Sequence, residues 1–154
     1  MLEFAFALPL LILMVIGMMC FIFVLSDFVA LNFYAHNIAR EAVLIDDSEF
    51  EYADLRKSYV DSTTESGGNL LTNQLFIWNP STEEGMKFTT NTDGSIVTVQ
   101  LTAKVNPDSK GLAGTFKNIL HIDALVDSMT VSYDFYNESY TEDTEESSST
   151  SSGT

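Results

Sequence analysis

One carboxylate, Glu3, stands directly before a long uncharged segment, and its position suggests a function more strongly than that of any other residue. A charge beside an apolar run is costly unless it is paired or stays at an interface. One interpretation keeps Glu3 at the interface, where it also suits the positive pole of a helix. The other pairs it with an N-terminal amine, its own at Met1 or a neighbouring subunit's. In a helix bundle that pair would set the register, because a misaligned subunit would bury an unpaired charge.

The remaining polar residues give little indication of catalysis or metal binding. His36 and His121 are far apart in the sequence, and no serine has the setting of a nucleophile elbow. An acidic cluster comprises Asp46, Asp47, Glu49, Glu51 and Asp54. It offers the oxygen ligands that calcium prefers, but it lacks the spacing and the glycine of an EF-hand loop. A solvated acidic face is therefore the favoured interpretation. We therefore predict a protein that is not an enzyme, with no cofactor and no metal.

Two further positions are candidates for modification. Asn137-Glu138-Ser139 is an N-glycosylation sequence, and the Ser/Thr-rich segment after it could accept O-linked sugar. Cys20 is the only cysteine, so no intrachain disulfide is possible. Because Cys20 lies inside an apolar run, a packing role is favoured over a reactive or lipidated one.

The charge balance excludes one class of partner. The chain has 154 residues, a net charge of −15 and only seven basic residues, which are scattered. Nucleic-acid binding needs clustered Lys and Arg to displace counterions, so no nucleic acid is expected to bind. Solubility and mutual repulsion are the simpler consequences of the acidity.

The elements that would position Glu3 begin with the apolar run from Phe4 to Leu25, which contains 22 residues. As a helix it would be about 33 Å long, enough for a bilayer core of about 30 Å. No Lys or Arg precedes Arg40, so a plain secretory signal is not favoured. One explanation is that a basic leader has been removed and Met1 is a processed end; the other is that Met1 is a start codon.

Helical periodicity continues beyond the apolar run. Apolar residues recur at spacings of three and four and form one stripe, which comprises Phe28, Val29, Leu31, Ala35, Ile38, Ala39, Ala42 and Val43. Asp27 and the other polar residues of this stretch fall largely elsewhere on the helical wheel. The helix is predicted to reach about residue 44, or roughly 65 Å. Pro9 and Gly17 permit a flexible stretch in the N-terminal half of the helix, which we call its lower half, or are simply residues common in membrane helices.

After the helix the sequence predicts a small antiparallel sheet. Residues 75–78 and 87–91 are short strands, and residues 97–103 and 129–135 alternate apolar with polar side chains. The predicted fold class is α+β, with a long N-terminal helix packed on this sheet. We place the boundaries at 1–45 for the helix, 46–137 for the β-rich domain and 138–154 for an acidic, flexible tail.

The opening residues resemble a known family. Glu3-Phe4-Ala5-Phe6-Ala7-Leu8-Pro9-Leu10-Leu11 is similar to the start of TadE-like pilins of tight-adherence (type IVc) pili, in which a proline follows the acidic residue by six positions. Asn37-Ile38-Ala39-Arg40-Glu41-Ala42 also resembles the segment that closes the long helix of that family. The match covers the first 45 residues well. It departs in one respect, because the family glutamate usually stands fifth and here it is third.

This resemblance implies a function as well as a fold. A prepilin peptidase would remove a basic leader, and assembly machinery would then extract the membrane-inserted subunit into a helical filament. Glu3 would neutralise the N-terminus of an adjacent subunit. The expected function is therefore a type IV-like pilus subunit for adhesion, in the membrane as a precursor and extracellular once assembled. The alternative is a minor pilin, or a single-pass membrane protein with an extracellular binding domain that never polymerises.

Overall fold

The computed structural model describes residues 2–44, 49–71, 73–92 and 95–136, and within these ranges the side chains of 2–5, 49–51 and 125 lie outside the description. Four helices and four strands occur in these ranges. In chain order they are α1 (Leu2–Val43), α2 (Glu49–Glu65), β1 (Phe76–Trp78), β2 (Met86–Thr90), β3 (Ile96–Val105), α3 (Gly111–Leu120), α4 (Ile122–Leu125) and β4 (Ser128–Tyr136). The predicted tail, at 138–154, lies outside the described residues.

Strand β3 is the centre of an antiparallel sheet. It pairs with β4 along most of its length, from Ile96 opposite Tyr136 to Lys104 opposite Ser128. The other edge of β3 is shared, because β2 pairs with its first half and β1 with its last three residues. The strands predicted from the sequence are all present, and the coarse prediction of a long apolar helix with a small antiparallel sheet is confirmed.

The sheet has one apolar face and one polar face, as the alternation in β3 predicts. The side chains of Val97, Val99, Leu101 and Ala103 are buried. On the opposite face the Thr98 hydroxyl donates a hydrogen bond of 2.7 Å to Asp134 in β4. Only the apolar face can therefore receive the helices.

The upper half of α1 packs on the apolar face. Its buried residues are Leu31, Ala35, Ile38, Ala39 and Ala42, and three of these are alanines, which let the helix approach the strands closely. The ring of Tyr34 lies 5.4 Å from that of Trp78 in β1. Phe28 and Val29 were expected on this stripe but are 39% and 59% exposed, because both lie to the same side of the line that joins the buried residues of α1, Val29 farther from it than Phe28.

Helix α2 covers the same face beside α1. Its apolar residues Tyr52, Leu55 and Val60 predict a helix only weakly, yet the segment forms 17 residues of helix. Its stability comes from contacts with the rest of the domain. The Tyr52 ring stacks on Phe88 at 4.6 Å, and the Arg56 guanidinium donates a hydrogen bond of 2.8 Å to the Met86 carbonyl.

The connection between β3 and β4 is more helical than the sequence suggested. The spacing of Leu112, Phe116, Ile119 and Leu120 predicts one or two helical turns, whereas the structure has α3, with ten residues, followed by the single turn of α4. His121 joins them in a left-handed conformation, with φ of 47°. Phe116 of α3 is buried, and its ring lies 5.4 Å from that of Phe23 in α1. The connection is therefore packed against the middle of α1, around Phe23.

Candidate assembly surface on the N-terminal helix

The lower part of α1 is bare. Every side chain from Phe6 to Val15 is exposed, and Phe6, Leu10 and Met14 are each more than 70% exposed. Soluble monomers rarely show contiguous apolar patches larger than a few hundred Å². This surface therefore needs a cover of lipid or of other protein. We call it the bare helix surface, defined by residues 6–15.

The same helix satisfies the length and composition of a membrane span. The stretch Phe6–Val43 contains a segment apolar enough to cross a bilayer. Within it the lowest part is exposed and the upper part is covered by the sheet, so one continuous helix carries two different surfaces. The lower surface faces outward from the protein, and the upper one forms the core.

Glu3, the predicted assembly residue, lies in the first turn of α1, immediately after Leu2. Its side chain is outside the description, and so is Met1, the residue whose amine was its predicted partner. The pairing of Glu3 with an N-terminal amine therefore stays a prediction. The backbone places Glu3 at the lower end of the bare helix surface, which is the position that the hypothesis requires.

Pro9 and Gly17, the predicted flexible positions, are both inside the helix. Helix α1 is continuous through them, from Leu2 to Val43. Pro9 has no N–H to donate to the carbonyl of Ala5, so this turn lacks one backbone hydrogen bond. A Cβ added at Gly17 would meet nothing within 4 Å, so space does not require glycine there. Flexibility at these positions stays a prediction.

Asp27 is a residue that the sequence analysis placed wrongly. It was grouped with the polar residues of α1, but it is fully buried. Its two carboxylate oxygens accept backbone N–H bonds from Asn73, at 3.2 Å, and from Phe76, at 3.3 Å. Since Asp27 precedes the buried Leu31 by four residues, it belongs to the buried stripe by spacing. Its charge concealed this, because a carboxylate is normally assigned to the solvent face.

Asp27 and Asn73 together tie the loop before β1 to the helix. The side-chain amide of Asn73 donates a hydrogen bond of 3.4 Å to the Phe23 carbonyl, one turn below Asp27. The loop and α1 therefore exchange hydrogen bonds in both directions. This arrangement fixes the height at which the domain sits on α1, and hence how much of the helix stays bare.

A second polar contact holds the upper end of α1 to α2. The Tyr59 hydroxyl donates a hydrogen bond of 3.3 Å to the Glu41 carboxylate. Burial, and then the charge of Glu41, raise the pKa of Tyr59 to about 12. The phenol is therefore neutral at physiological pH and acts as a donor.

The other candidate residues predicted from the sequence lie far apart in the structure or outside the residues that it describes. The rings of His36 and Tyr133 are nearly perpendicular, with their centroids 5.3 Å apart, whereas the exposed His121 lies between α3 and α4. Cys20 is buried, in keeping with a packing role. Within the described part of the chain no group of three or more His, Cys, Asp or Glu could hold a metal. The acidic cluster, apart from the exposed Asp54, lies outside the described side chains, as does Asn137.

The bare helix surface is therefore the candidate site for association with lipid or with protein. The calcium alternative, the glycosylation of Asn137 and the absence of enzymatic activity all stay predictions. Comparison of the chain with protein-family models, with curated proteins and with solved structures returned no match.

Proposed function

We propose that the protein is a structural subunit of a type IV-like pilus. Its α1 helix anchors the precursor in the membrane and then packs against copies of itself in an extracellular filament for adhesion. The observation that carries the proposal is the division of α1 into a bare apolar lower part and an upper part that belongs to the core of the domain.

Lipid and neighbouring helices would cover the bare helix surface in turn. Leaving large apolar side chains in water costs about 1.5–3 kcal/mol for each one. Phe6, Leu10, Leu13 and Met14 alone would account for several kcal/mol. A bilayer removes this cost for the precursor, and a bundle of identical helices removes it in the filament. The subunit can therefore leave the membrane only as it joins other subunits.

Glu3 would make the exchange selective. Charged residues inside a helix bundle are tolerated when they are paired, and an unpaired one is strongly destabilising. A neighbouring N-terminal amine, exposed by a prepilin peptidase, would supply the pair. The resemblance of residues 3–11 and 37–42 to TadE-like pilins supports this role.

The alternative, a membrane protein that never polymerises, shares the anchor but not the requirement for Glu3. A helix that only anchors its domain needs an apolar surface and no acidic residue at its lower end. Replacing Glu3 therefore separates the two functions, since insertion depends on the apolar run and assembly depends on the carboxylate.

The experiment compares cells that produce the Glu3→Ala protein with cells that produce the Glu65→Ala protein. Glu65 is an exposed acid at the end of α2, so its replacement controls for loss of one negative charge. Filaments are sheared from the surface and quantified by immunoblot and electron microscopy, and the membrane fraction is measured in parallel. We expect Glu3→Ala to abolish filaments at an unchanged membrane level and Glu65→Ala to leave both unchanged. Normal filament yield from Glu3→Ala would refute the pairing.

A further inference from the structure

Helix α3 covers part of the segment that would have to cross the bilayer. The charge-free run is bounded by Glu3 below and Asp27 above. Its residues from Phe4 to Leu25 make about 33 Å of helix, close to the thickness of a bilayer core, about 30 Å. Within this run Cys20 is buried and Phe23 packs on Phe116 of α3. A span that uses the whole run therefore brings α3 to the membrane.

The depth of α3 follows from its neighbours on α1. Ile119 and Leu120, at the C-terminal end of α3, line an open apolar groove of about 430 Å³ together with Leu8, Ile12 and Ile16. Ile16 lies nine residues below Leu25, a distance of roughly 14 Å along the helix. The lower end of α3 thus lies well inside the limits of the charge-free run.

The exposed side of α3 carries large apolar residues, as a helix at this depth in a bilayer requires. Leu112 is 67% exposed and Ile119 is 56% exposed, although both are large and apolar. They are seven residues apart and therefore lie on the same side of the helix. Thr115 and Asn118, also exposed, lie on the side of this pair that is turned away from α1. Helix α3 is therefore amphipathic, and its exposed apolar stripe continues the bare helix surface of α1.

We propose that α3 lies in the interface of the leaflet on the domain side, with Leu112 and Ile119 in contact with lipid. The inference rests on the proposed insertion of α1. Amphipathic helices of this kind lie at the boundary between headgroups and acyl chains, and the position of Ile16 puts the C-terminal end of α3 roughly 14 Å below Leu25, on the acyl side of that boundary. Because the backbone hydrogen bonds within α3 are internal, the helix itself can enter the apolar region of the bilayer. The domain is then seated on the membrane rather than held above it.

We assign lipid, and not a second copy of the chain, as the cover of the groove and of the apolar stripe on α3 because both lie within the length of the charge-free run. The groove and the stripe are within the limits of the apolar run, so they are covered by lipid whenever a single subunit is inserted. A second copy could cover them only after assembly has begun.

Electron paramagnetic resonance of the full chain in phosphatidylcholine–phosphatidylglycerol vesicles tests the placement. Cys20 is replaced by alanine, and single nitroxide labels are placed at Ile119, at Thr115, at Leu10 and at Thr90. Leu10 reports the insertion of α1, Thr115 reports the polar side of α3, and Thr90 lies at the opposite end of β2 and β3 from α3. Fluorescence of the single tryptophan, Trp78, checks that each labelled protein is folded.

Collisions with oxygen, which concentrates in lipid, are compared with collisions with a water-soluble nickel complex. We expect the Ile119 label to be several-fold more accessible to oxygen than to nickel, and the Thr90 label to show the reverse. Thr115 should be intermediate. A nickel-accessible Ile119 beside a lipid-embedded Leu10 would overturn the placement of α3 and leave the membrane span intact. A nickel-accessible Leu10 would instead refute the span itself.

Diluting the labelled protein with unlabelled protein shows whether lipid or a second copy of the chain covers Ile119. If a second copy covers Ile119, labels on neighbouring subunits broaden each other's spectra, and the broadening disappears on dilution. Such broadening at low protein-to-lipid ratio would overturn the assignment to lipid. Spectra that do not change on dilution, with high oxygen accessibility, are the expected result.

Discussion

Replacing Asp27 with alanine should loosen the domain from the helix that carries it. The change leaves the N–H groups of Asn73 and Phe76 without the carboxylate that they now contact at 3.2 and 3.3 Å. Hydrogen bonds to a charged acceptor contribute about 1.5–3 kcal/mol each, and orphaned buried donors cost a similar amount. Part of this is offset because a buried carboxylate is itself costly to desolvate. We expect a net loss of about 3 kcal/mol in the free energy of unfolding.

Trp78 provides the assay. It is the only tryptophan, it is fully buried, and its indole N–H donates a hydrogen bond of 2.8 Å to the Gly85 carbonyl. Its fluorescence should therefore report unfolding by urea of the full chain in a non-ionic detergent. Ser26→Ala is the matched control, since Ser26 is the exposed neighbour of Asp27, and its effect should stay within about 0.5 kcal/mol.

The Asp27→Asn protein separates the two hydrogen bonds. Asparagine keeps one acceptor oxygen but turns an amide N–H towards the second donor. We therefore expect the free energy of unfolding to fall less than in Asp27→Ala and more than in Ser26→Ala. The reasoning is refuted if Asp27→Ala and Ser26→Ala unfold at the same urea concentration. Equal stability would mean that the carboxylate of Asp27 does not hold the loop before β1.

Two further predictions concern Gly17 in α1 and the contact of Tyr59 in α2 with α1. Gly17→Ala should stabilise the lower half of α1 by about 0.5–1 kcal/mol, because space is open there and alanine favours helix; amide hydrogen exchange around residue 17 should slow, and faster exchange would contradict this. Since the pKa of Tyr59 is raised to about 12, the neutral phenol stabilises the fold below pH 10, and this contribution is lost as the pH rises towards 12. The Tyr59→Phe protein should lose less stability over that range than the unaltered protein, and an equal loss would exclude the ionisation of Tyr59 as the cause.

Much of the fold can be predicted from local patterns. The alternation in β3 and β4 identifies both strands and their buried sides, because a period of two has no other simple explanation. The uncharged run identifies the lower half of α1 for the same kind of reason. These elements are predictable because the sequence pattern follows the environment along most of their length.

Two helices could not be predicted at their full length. Helix α2 has no strong apolar stripe, and it is held by particular contacts such as Tyr52 on Phe88 and Arg56 on the Met86 carbonyl. Helix α3 is short, and Phe116 becomes an anchor only because Phe23 lies beside it. Contacts between residues so distant in sequence leave no periodic signal.

The candidate assembly surface was predictable in part. The apolar run locates the bare helix surface, but it does not show that Asp27 holds the domain to α1, because reasoning that assigns charges to solvent does not find a buried carboxylate. The position of α3 beside residues 8–23 was equally hidden, since it depends on the path of the chain after β3. Both features determine how deeply the subunit sits in a membrane.

The most direct test of the proposed function is a cryo-electron microscopy reconstruction of filaments sheared from the cell surface, with the chain identified in them by mass spectrometry. We predict a central bundle of α1 helices in mutual contact over residues 6–15, with the sheets on the outside and the polar face of β3 and β4 towards solvent. Filaments built through contacts between sheets, with residues 6–15 facing outward, would contradict it.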